Sequence, residues 1–172
     1  MGTIGKPGAN EANTYFTGYI SSAPGNDLGS ALRASLDRTR KVMADTPPEM
    51  EAYRYAPGKW SIKDVLQHLT DTERIFTYRA LCIARGEQGA LPGFDEDSYA
   101  DHADTEHRSL QEVLVEHERV RAATIALFDG LTEQALARTG IANGDPISVR
   151  ALGWTLVGHA EHHLNIIEQR YR

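Results

Sequence analysis

Hydrophobic residues recur every three or four positions in four separate segments of the chain, which is the period of an amphipathic helix. The first of these segments begins at Leu28. Pro47 and Pro48 end it, because proline lacks an amide hydrogen and disfavours helical geometry in the residue before it. The inward stripe of this predicted helix comprises Leu28, Ala31, Leu32, Ser35, Leu36, Thr39, Val42 and Met43.

The second helix is predicted to begin after Ser61. Ser61 has the form of an N-cap, and Asp64 places an acidic side chain in the first turn, where the helix dipole favours negative charge. Arg85 and Gly86 mark the expected end. The inward stripe of this helix comprises Ile62, Val65, Leu66, Leu69, Thr72, Ile75, Phe76 and Ile83.

The third helix is predicted from about His107 to Asp129, with Gly130 as its stop, and the fourth from near Ser148. The stripe of the third comprises Leu110, Val113, Leu114, His117, Val120, Thr124, Leu127 and Phe128. The stripe of the fourth comprises Val149, Leu152, Leu156, His159, His163, Ile166 and Ile167.

The remaining segments lack this period. Residues 1–27 are rich in Gly, Asn, Ser and Pro, which predicts an irregular N-terminal arm with one short helix around residues 11–20. Residues 86–106 combine glycines, a proline and many acidic residues, which is typical of a functional loop or a crossover between distant helix ends. No segment shows sustained strand-type alternation. Four long amphipathic helices can bury their stripes only against each other, so the pattern predicts an all-α four-helix bundle over residues 28–172.

Composition narrows the class of function. The 172 residues suffice for one domain, and 18 Lys and Arg against 24 Asp and Glu give a net charge of −6, which argues against a nucleic-acid binder. The lone Cys82 excludes an intrachain disulfide and fits a reducing compartment. No apolar run approaches the roughly 20 residues of a membrane-spanning helix, and the first residues lack a signal-peptide core. We therefore expect a soluble, cytoplasmic protein that binds neither nucleic acid nor membrane.

Histidines on the inward stripes suggest a metal site. His159 and His163 are four residues apart, so both leave the same face of the fourth helix. Burying two unpaired imidazoles costs a few kcal/mol in lost hydrogen bonds, and a shared metal removes that cost. His68 lies on the inward flank of the second helix, and bundles build metal sites from facing helices. Three neutral imidazoles would leave coordination positions open to water or substrate, as in a catalytic site. The alternative is three separate core histidines, each hydrogen-bonded to a neighbour.

Other polar residues near these stripes have two interpretations each. His162 is turned about 60° from His159 on a helical wheel and is left out of the metal set, and His117 is expected to pack in the core. Asp71 could hydrogen-bond to a metal-binding histidine or carry a proton, or else be a surface carboxylate. Arg150 and Trp154 could line a substrate pocket, or else belong to the surface and the core.

Three stretches resemble the DinB/YfiT-like superfamily. They are GKWS at 58–61 leading to QHL at 67–69, the loop LPGFDEDSY at 91–99, and SVRAL at 148–152 running into GHAEHH at 158–163. The resemblance covers about residues 28–172. It implies an up-down-down-up bundle in which the long loop after the second helix is a crossover. It also implies a divalent ion, usually Zn or Ni, held by His68, His159 and His163.

The resemblance also implies a class of activity. Family members include S-transferases and isomerases that use low-molecular-weight thiols such as bacillithiol or mycothiol, and others are described as metal-dependent hydrolases. We therefore expect a metal-dependent enzyme for a small-molecule substrate, either a thiol-dependent S-transferase or a hydrolase. The alternative is a non-catalytic, metal-stabilised bundle acting in ligand binding or protein association. Such proteins are often dimers, and a homodimer is expected here.

Overall fold

The computed structural model describes residues 2–171, which form seven α-helices and one two-stranded antiparallel sheet. The helices are α1 (Thr14–Ser22), α2 (Leu28–Ala44), α3 (Ile62–Ala84), α4 (Glu96–Asp101), α5 (Leu110–Asp129), α6 (Glu133–Leu136) and α7 (Val149–Arg170). The strands are β1 (Thr139–Ala142) and β2 (Asp145–Ser148), and 3-10 turns span Pro48–Met50 and Thr105–His107. Within these residues no helix has both the length and the apolarity needed to cross a bilayer.

Each long helix begins at a polar N-cap whose side chain accepts a backbone N–H of the first turn. These caps are Asp27, Ser61, Ser109 and Ser148. Ser109 forms a capping box with Glu112, so α5 begins at Leu110, three residues later than the periodicity indicated. His107, the predicted start, lies in the preceding 3-10 turn.

Cross-helix contacts define the direction of each helix in the bundle. Thr70, Glu73 and Thr77 of α3 contact His117, Arg121 and Thr124 of α5 in the same order, so these helices are parallel. Tyr171, just after α7, donates to the Trp60 carbonyl just before α3, and His68 further along α3 meets His159 in the middle of α7, so this pair is antiparallel.

The position of α2 completes the order. Arg33 and Arg40 of α2 pair with Asp129 and Glu118 of α5, which makes these two helices antiparallel. The four long helices therefore run up, down, down and up, and residues 85–109 cross over between the parallel neighbours α3 and α5. The predicted all-α bundle and its crossover are confirmed.

A buried polar layer divides the core at the middle of the bundle. Two apolar clusters fill the ends, one around Phe76, Phe128 and Trp154 and the other around Leu66 and Leu164. The layer between them contains Ser35, Thr39, His68, Thr70, Thr72, Glu73, His117, Arg121 and Thr124. Buried polar groups are costly unless they are hydrogen-bonded, and buried charges are costly unless they are paired. This polar layer is therefore the best candidate for a functional site.

The N-terminal arm covers one face of α7. Helix α1 lies close to the short helix expected around residues 11–20, within a segment that is otherwise irregular. It buries Phe16 and Ile20. Gly158 of α7 lies under its backbone, and a Cβ there would come within 1.9 Å of the Tyr19 carbonyl oxygen. Met1 and Arg172, the outer ends of the predicted arm and bundle, lie outside the described residues.

The strands β1 and β2 correct the expectation that strands are absent. They form a hairpin whose two-residue turn, Asn143 and Gly144, has φ angles of 55° and 85°. Asn-Gly is the sequence most typical of such turns, because both positions need a positive φ. Four-residue strands are too short to show clear alternation, so the turn was the stronger signal.

Candidate metal centre

Three histidine side chains converge in the polar layer. Nε2 of His159 lies 3.0 Å from Nε2 of His68 and 3.0 Å from Nε2 of His163. One ligand nitrogen from each ring lies within 4.8 Å of the other two. His68 comes from the second turn of α3, and the other two lie one turn apart on α7. The structure therefore brings together the three residues that the sequence singled out.

Hydrogen bonds alone cannot pair all three of the converging ring nitrogens. A ring nitrogen of a neutral imidazole carries either one proton or one in-plane lone pair, so it forms one good hydrogen bond. Nε2 of His159 faces two such nitrogens at equal distance. Metal–nitrogen bonds of about 2.0–2.1 Å place two nitrogens on one ion about 3 Å apart. The spacing and the donor type therefore fit a shared divalent ion.

The environment keeps the three rings neutral. Burial lowers the pKa of His68 to about 4. Burial, and then the charges that His68 and His162 would carry, lower the pKa of His163 to about 3. The pKa of His159 is likewise well below its usual value, mainly through burial. Neutral imidazole is the form that binds metal, so no proton has to be displaced from these rings near pH 7.

Aromatic rings hold the histidines in place. The Trp60 ring, next to the N-cap of α3, has its centroid 4.6 Å from that of His68. Tyr19 of α1 stands edge-on to His159 at 5.4 Å and to His162 at 5.6 Å. Packing of this kind fixes ring orientation, which a metal site requires in order to be preorganised.

A cavity of about 220 Å³ adjoins the three nitrogens. Its apolar wall consists of Tyr15, Phe16, Tyr19, Trp60, Phe76 and Phe94. Its polar lining, apart from histidines, consists of Thr72, Arg79, Glu96, Asn143 and Thr155. The arm, the crossover and the hairpin turn thus all contribute to a pocket that the long helices alone would leave open.

The structure gives different places to His162 and His117, two further histidines on the long helices that were left out of the predicted metal set. His162 is exposed and lines the cavity, with its ring 5.2 Å from that of His163. His117 is fully buried on α5 and hydrogen-bonded through Nδ1 to the Thr70 hydroxyl. His117 does not line this cavity, which agrees with the packing role expected for it.

Three further candidates lie elsewhere. Trp154 does not line the pocket; it is fully buried and donates its indole N–H to the Gly5 carbonyl. Arg150 is held at the start of α7 by ion pairs with Glu11 and Glu133.

Asp71 also does not act on the metal-binding rings. It accepts a hydrogen bond from Gln67 and pairs with Arg74, and it faces a separate surface cavity. Within residues 2–171, no carboxylate is hydrogen-bonded to His68, His159 or His163. Asp71, Arg150 and Trp154 therefore take the surface or core interpretation and do not line the pocket, because helical period gives a face but not the point along the bundle where a pocket opens.

Sequence reasoning missed the cavity-lining arginine and threonine of α3. Thr72 and Arg79 follow His68 at spacings of four and eleven, which places them on the same helix face. An arginine on an otherwise apolar stripe was the available signal. Tyr19, Phe94 and Asn143 carried no periodic signal, because they lie in segments without a regular helical pattern.

Comparison with known proteins places the chain in a family. The family model described as the DinB superfamily matches residues 31–167. The chain is also 28% identical over 112 residues to the Oceanobacillus iheyensis protein named "Putative metal-dependent hydrolase OB0413". That match covers 64% of this chain and spans 64% of the length of the relative.

Two solved structures share the fold. One is described as "YfiT from Bacillus subtilis is a probable metal-dependent hydrolase with an unusual four-helix bundle topology"; its TM-score is 0.72 at 19% identity, covering 95% of this chain and 90% of that one. The other is a mycothiol-dependent maleylpyruvate isomerase, with a TM-score of 0.66 at 12% identity, covering 96% of this chain and 62% of that one.

Proposed function

This chain belongs to the DinB superfamily, and we propose that it is a divalent-metal-dependent enzyme acting on a small molecule. The observation that carries the proposal is the convergence of three neutral imidazole nitrogens, with His159 Nε2 at 3.0 Å from each of the others. They lie beside a cavity of about 220 Å³, which suits a small molecule.

His68, His159 and His163 would hold the ion. When bound, such an ion supplies Lewis acidity and lowers the pKa of a thiol or water that it coordinates. Zn²⁺ and Ni²⁺ both accept imidazole ligands, and three protein ligands leave positions open for an exogenous group. The neutral state of the rings, imposed by burial, is what prepares the site for either ion.

The surrounding side chains favour a thiol as the nucleophile. A water on the ion can reach a pKa near 7, but hydrolysis also needs a group that takes up its proton and passes it to the leaving group, and zinc hydrolases commonly supply a carboxylate for this. In the described part of the chain the cavity is lined by one carboxylate, Glu96, which is exposed and lies on the short helix α4. A thiol, with a pKa of about 8.5, needs less help from the protein. We therefore propose a thiol-dependent S-transferase that uses a low-molecular-weight thiol.

The aromatic wall would position the reactants and limit access of water. Trp60 and Tyr19 stand against the histidine rings, and Phe76 and Phe94 extend the apolar surface along the cavity. A water-poor cavity strengthens electrostatic interactions with a thiolate and suppresses competing hydrolysis.

Hydrolysis is the second candidate. It is favoured by the names of two relatives, the Oceanobacillus iheyensis protein and YfiT. For that reaction the exposed His162, beside His163, is the side chain best placed to exchange a proton with solvent.

A turnover screen distinguishes these functions. Metal-loaded protein is assayed with several low-molecular-weight thiols and generic electrophiles, and with ester and amide substrates in the absence of thiol. We expect turnover that requires both metal and thiol, and a loss of at least about 100-fold in His159→Ala, because ligand removal empties the site. His107→Ala is the matched control, since His107 is exposed and outside the cavity.

Two other outcomes would change the assignment. Metal-dependent turnover without thiol would identify a hydrolase. Stoichiometric metal, a large fall in melting temperature with EDTA and no turnover under any condition would support the non-catalytic bundle and contradict the enzyme.

A further inference from the structure

Arg79 is a buried cation without an anionic partner. The residue is 3% exposed, yet no carboxylate lies within 4.0 Å of its guanidinium in the part of the chain that the structure describes. Its Nη2 donates to the Pro92 carbonyl at 2.6 Å, and the group lies over the rings of Phe76 and Phe94 at 5.1 and 5.9 Å. These contacts orient the guanidinium but leave its charge uncompensated.

The other buried arginine shows what compensation looks like in this fold. Arg121 pairs with Glu73 at 2.7 Å, and both side chains are 1% exposed. Burying a lone charge is strongly unfavourable, so buried charges are normally paired. Burial lowers the pKa of Arg79, but a guanidinium remains protonated near neutral pH. The guanidinium therefore stays charged, and an anionic ligand would compensate that charge.

Arg79 lines the cavity of the candidate metal centre and also a neighbouring cavity beside Pro92. It lines the first of these together with His68 and Thr72, on one face of α3. About 16 Å of helix rise separates the Cα atoms of residues 68 and 79. Helical side chains lean towards the N-terminus, so the long arginine side chain points back towards the histidines.

Thr72 supplies a second unsatisfied group between these two residues. It lines the same cavity and is 4% exposed, and its hydroxyl is buried without a hydrogen-bond partner. The neighbouring buried threonine, Thr70, satisfies its hydroxyl through the Leu66 carbonyl and His117. An unpaired buried hydroxyl is rare enough to need an explanation, and a ligand is one.

We propose that Arg79 and Thr72 form the carboxylate-binding end of the substrate pocket, so that the substrate is a small organic acid. This inference rests on the proposed function, which places the metal centre at the reacting end of the same pocket. The planar fork of a guanidinium matches the two oxygens of a carboxylate, and the threonine hydroxyl can donate to one of them. Phe76 and Phe94 would pack against the carbon skeleton.

The test uses two probes that differ in charge but hardly in shape, phenylacetate and phenylacetamide. Their dissociation constants are measured calorimetrically on zinc-loaded wild type, Arg79→Gln, Arg79→Lys and Thr72→Val. We expect wild type to bind the acid at least about tenfold more tightly than the amide, as charge-assisted hydrogen bonds allow. Arg79→Gln should reduce this preference to about twofold or less, and Arg79→Lys should retain part of it.

Thr72→Val separates binding from folding. The substitution removes a hydroxyl that has no partner, so the melting temperature should be unchanged or higher. Affinity for phenylacetate should nevertheless fall about threefold, as loss of one hydrogen bond predicts. Arg138→Gln is the matched control for Arg79→Gln. Arg138 also donates to a backbone carbonyl, that of Ala84, but it lies outside the cavity.

Two results would overturn the inference. One is equal affinity of wild type for the acid and the amide. The other is an acid preference that survives Arg79→Gln, which would mean that the ion binds the carboxylate directly. Zinc content is measured on the same samples, so failure of the proposed metal centre would be seen separately from failure of the carboxylate site.

Discussion

Burial of the single side chain of His117 makes the stability of the fold depend on pH. Its ring is fully buried, Nδ1 is hydrogen-bonded to Thr70, and Nε2 has no partner. Burial lowers its pKa to about 4, although the nearby Glu73 acts in the opposite direction. In the unfolded chain the pKa is about 6.5. Between these values the unfolded chain binds a proton that the folded protein does not, so stability falls as the pH is lowered.

His117→Leu should remove this dependence. Below about pH 6.5 and above about pH 4, the free energy of unfolding of the variant should fall less steeply than that of wild type, by up to about 1.4 kcal/mol per pH unit. The Thr70 hydroxyl keeps its bond to the Leu66 carbonyl, so no new unsatisfied group is created. Urea unfolding at several pH values measures the slopes, and parallel curves for the two proteins would show that His117 is protonated in the fold.

At this scale the sequence predicted the metal-binding candidates but not the rest of the pocket. Helical period placed His159 and His163 on one inward face, and His68 on another, because period alone determines which face a residue occupies. It could not show that Trp154 is fully buried without lining the cavity, nor that Arg79 has no carboxylate partner in the described part of the chain. Both depend on which residues of other elements lie opposite, which no local pattern records.

At the scale of elements, the contact between α1 and α7 shapes the pocket. Gly158 allows the backbone of α1 to lie directly on α7, and Tyr15, Phe16 and Tyr19 of α1 then form one wall of the cavity. Tyr19 also contacts the ring of His159, one position after this glycine. The packing of a connecting arm therefore positions part of the site.

Gly158→Ala should displace α1. Its Cβ would meet the backbone of Tyr19, which cannot move without shifting the helix. We expect a destabilisation of about 1–3 kcal/mol, typical of overpacking, and weaker binding of cavity ligands. Gly18→Ala is the matched control, because Gly18 lies within α1 with no atom nearby, and alanine should stabilise its helix slightly. Equal effects of both substitutions in thermal unfolding would contradict this account of the interface.

The elements themselves were predictable to different degrees. The long helices follow from their stripes and their caps, and Ser61 gave the start of α3 correctly because the capping box is a local device. The hairpin was missed because its strands are short and because Leu91 of the crossover pairs with it, a contact 50 residues distant in sequence. Long-range pairing of this kind leaves no periodic trace.

At the scale of the whole molecule, different parts of the bundle provide its stability and its candidate site. Apolar clusters at both ends of the bundle hold the helices together, and the polar layer between them carries the histidines. The arm, the crossover and the hairpin close one side of this layer into a cavity. A homodimer stays a prediction, for which light scattering should give twice the 19.0 kDa of one chain.

The most direct measurement is the metal content per chain after equilibrium dialysis against Zn²⁺ or Ni²⁺. Wild type should retain one ion per chain. His68→Ala, His159→Ala and His163→Ala should each lower the affinity for the ion by about tenfold to 100-fold. His162→Ala should retain the ion, because His162 lines the cavity without joining the converging nitrogens. Equal metal content in wild type and the His159→Ala variant, or loss of the ion in His162→Ala alone, would contradict the assignment.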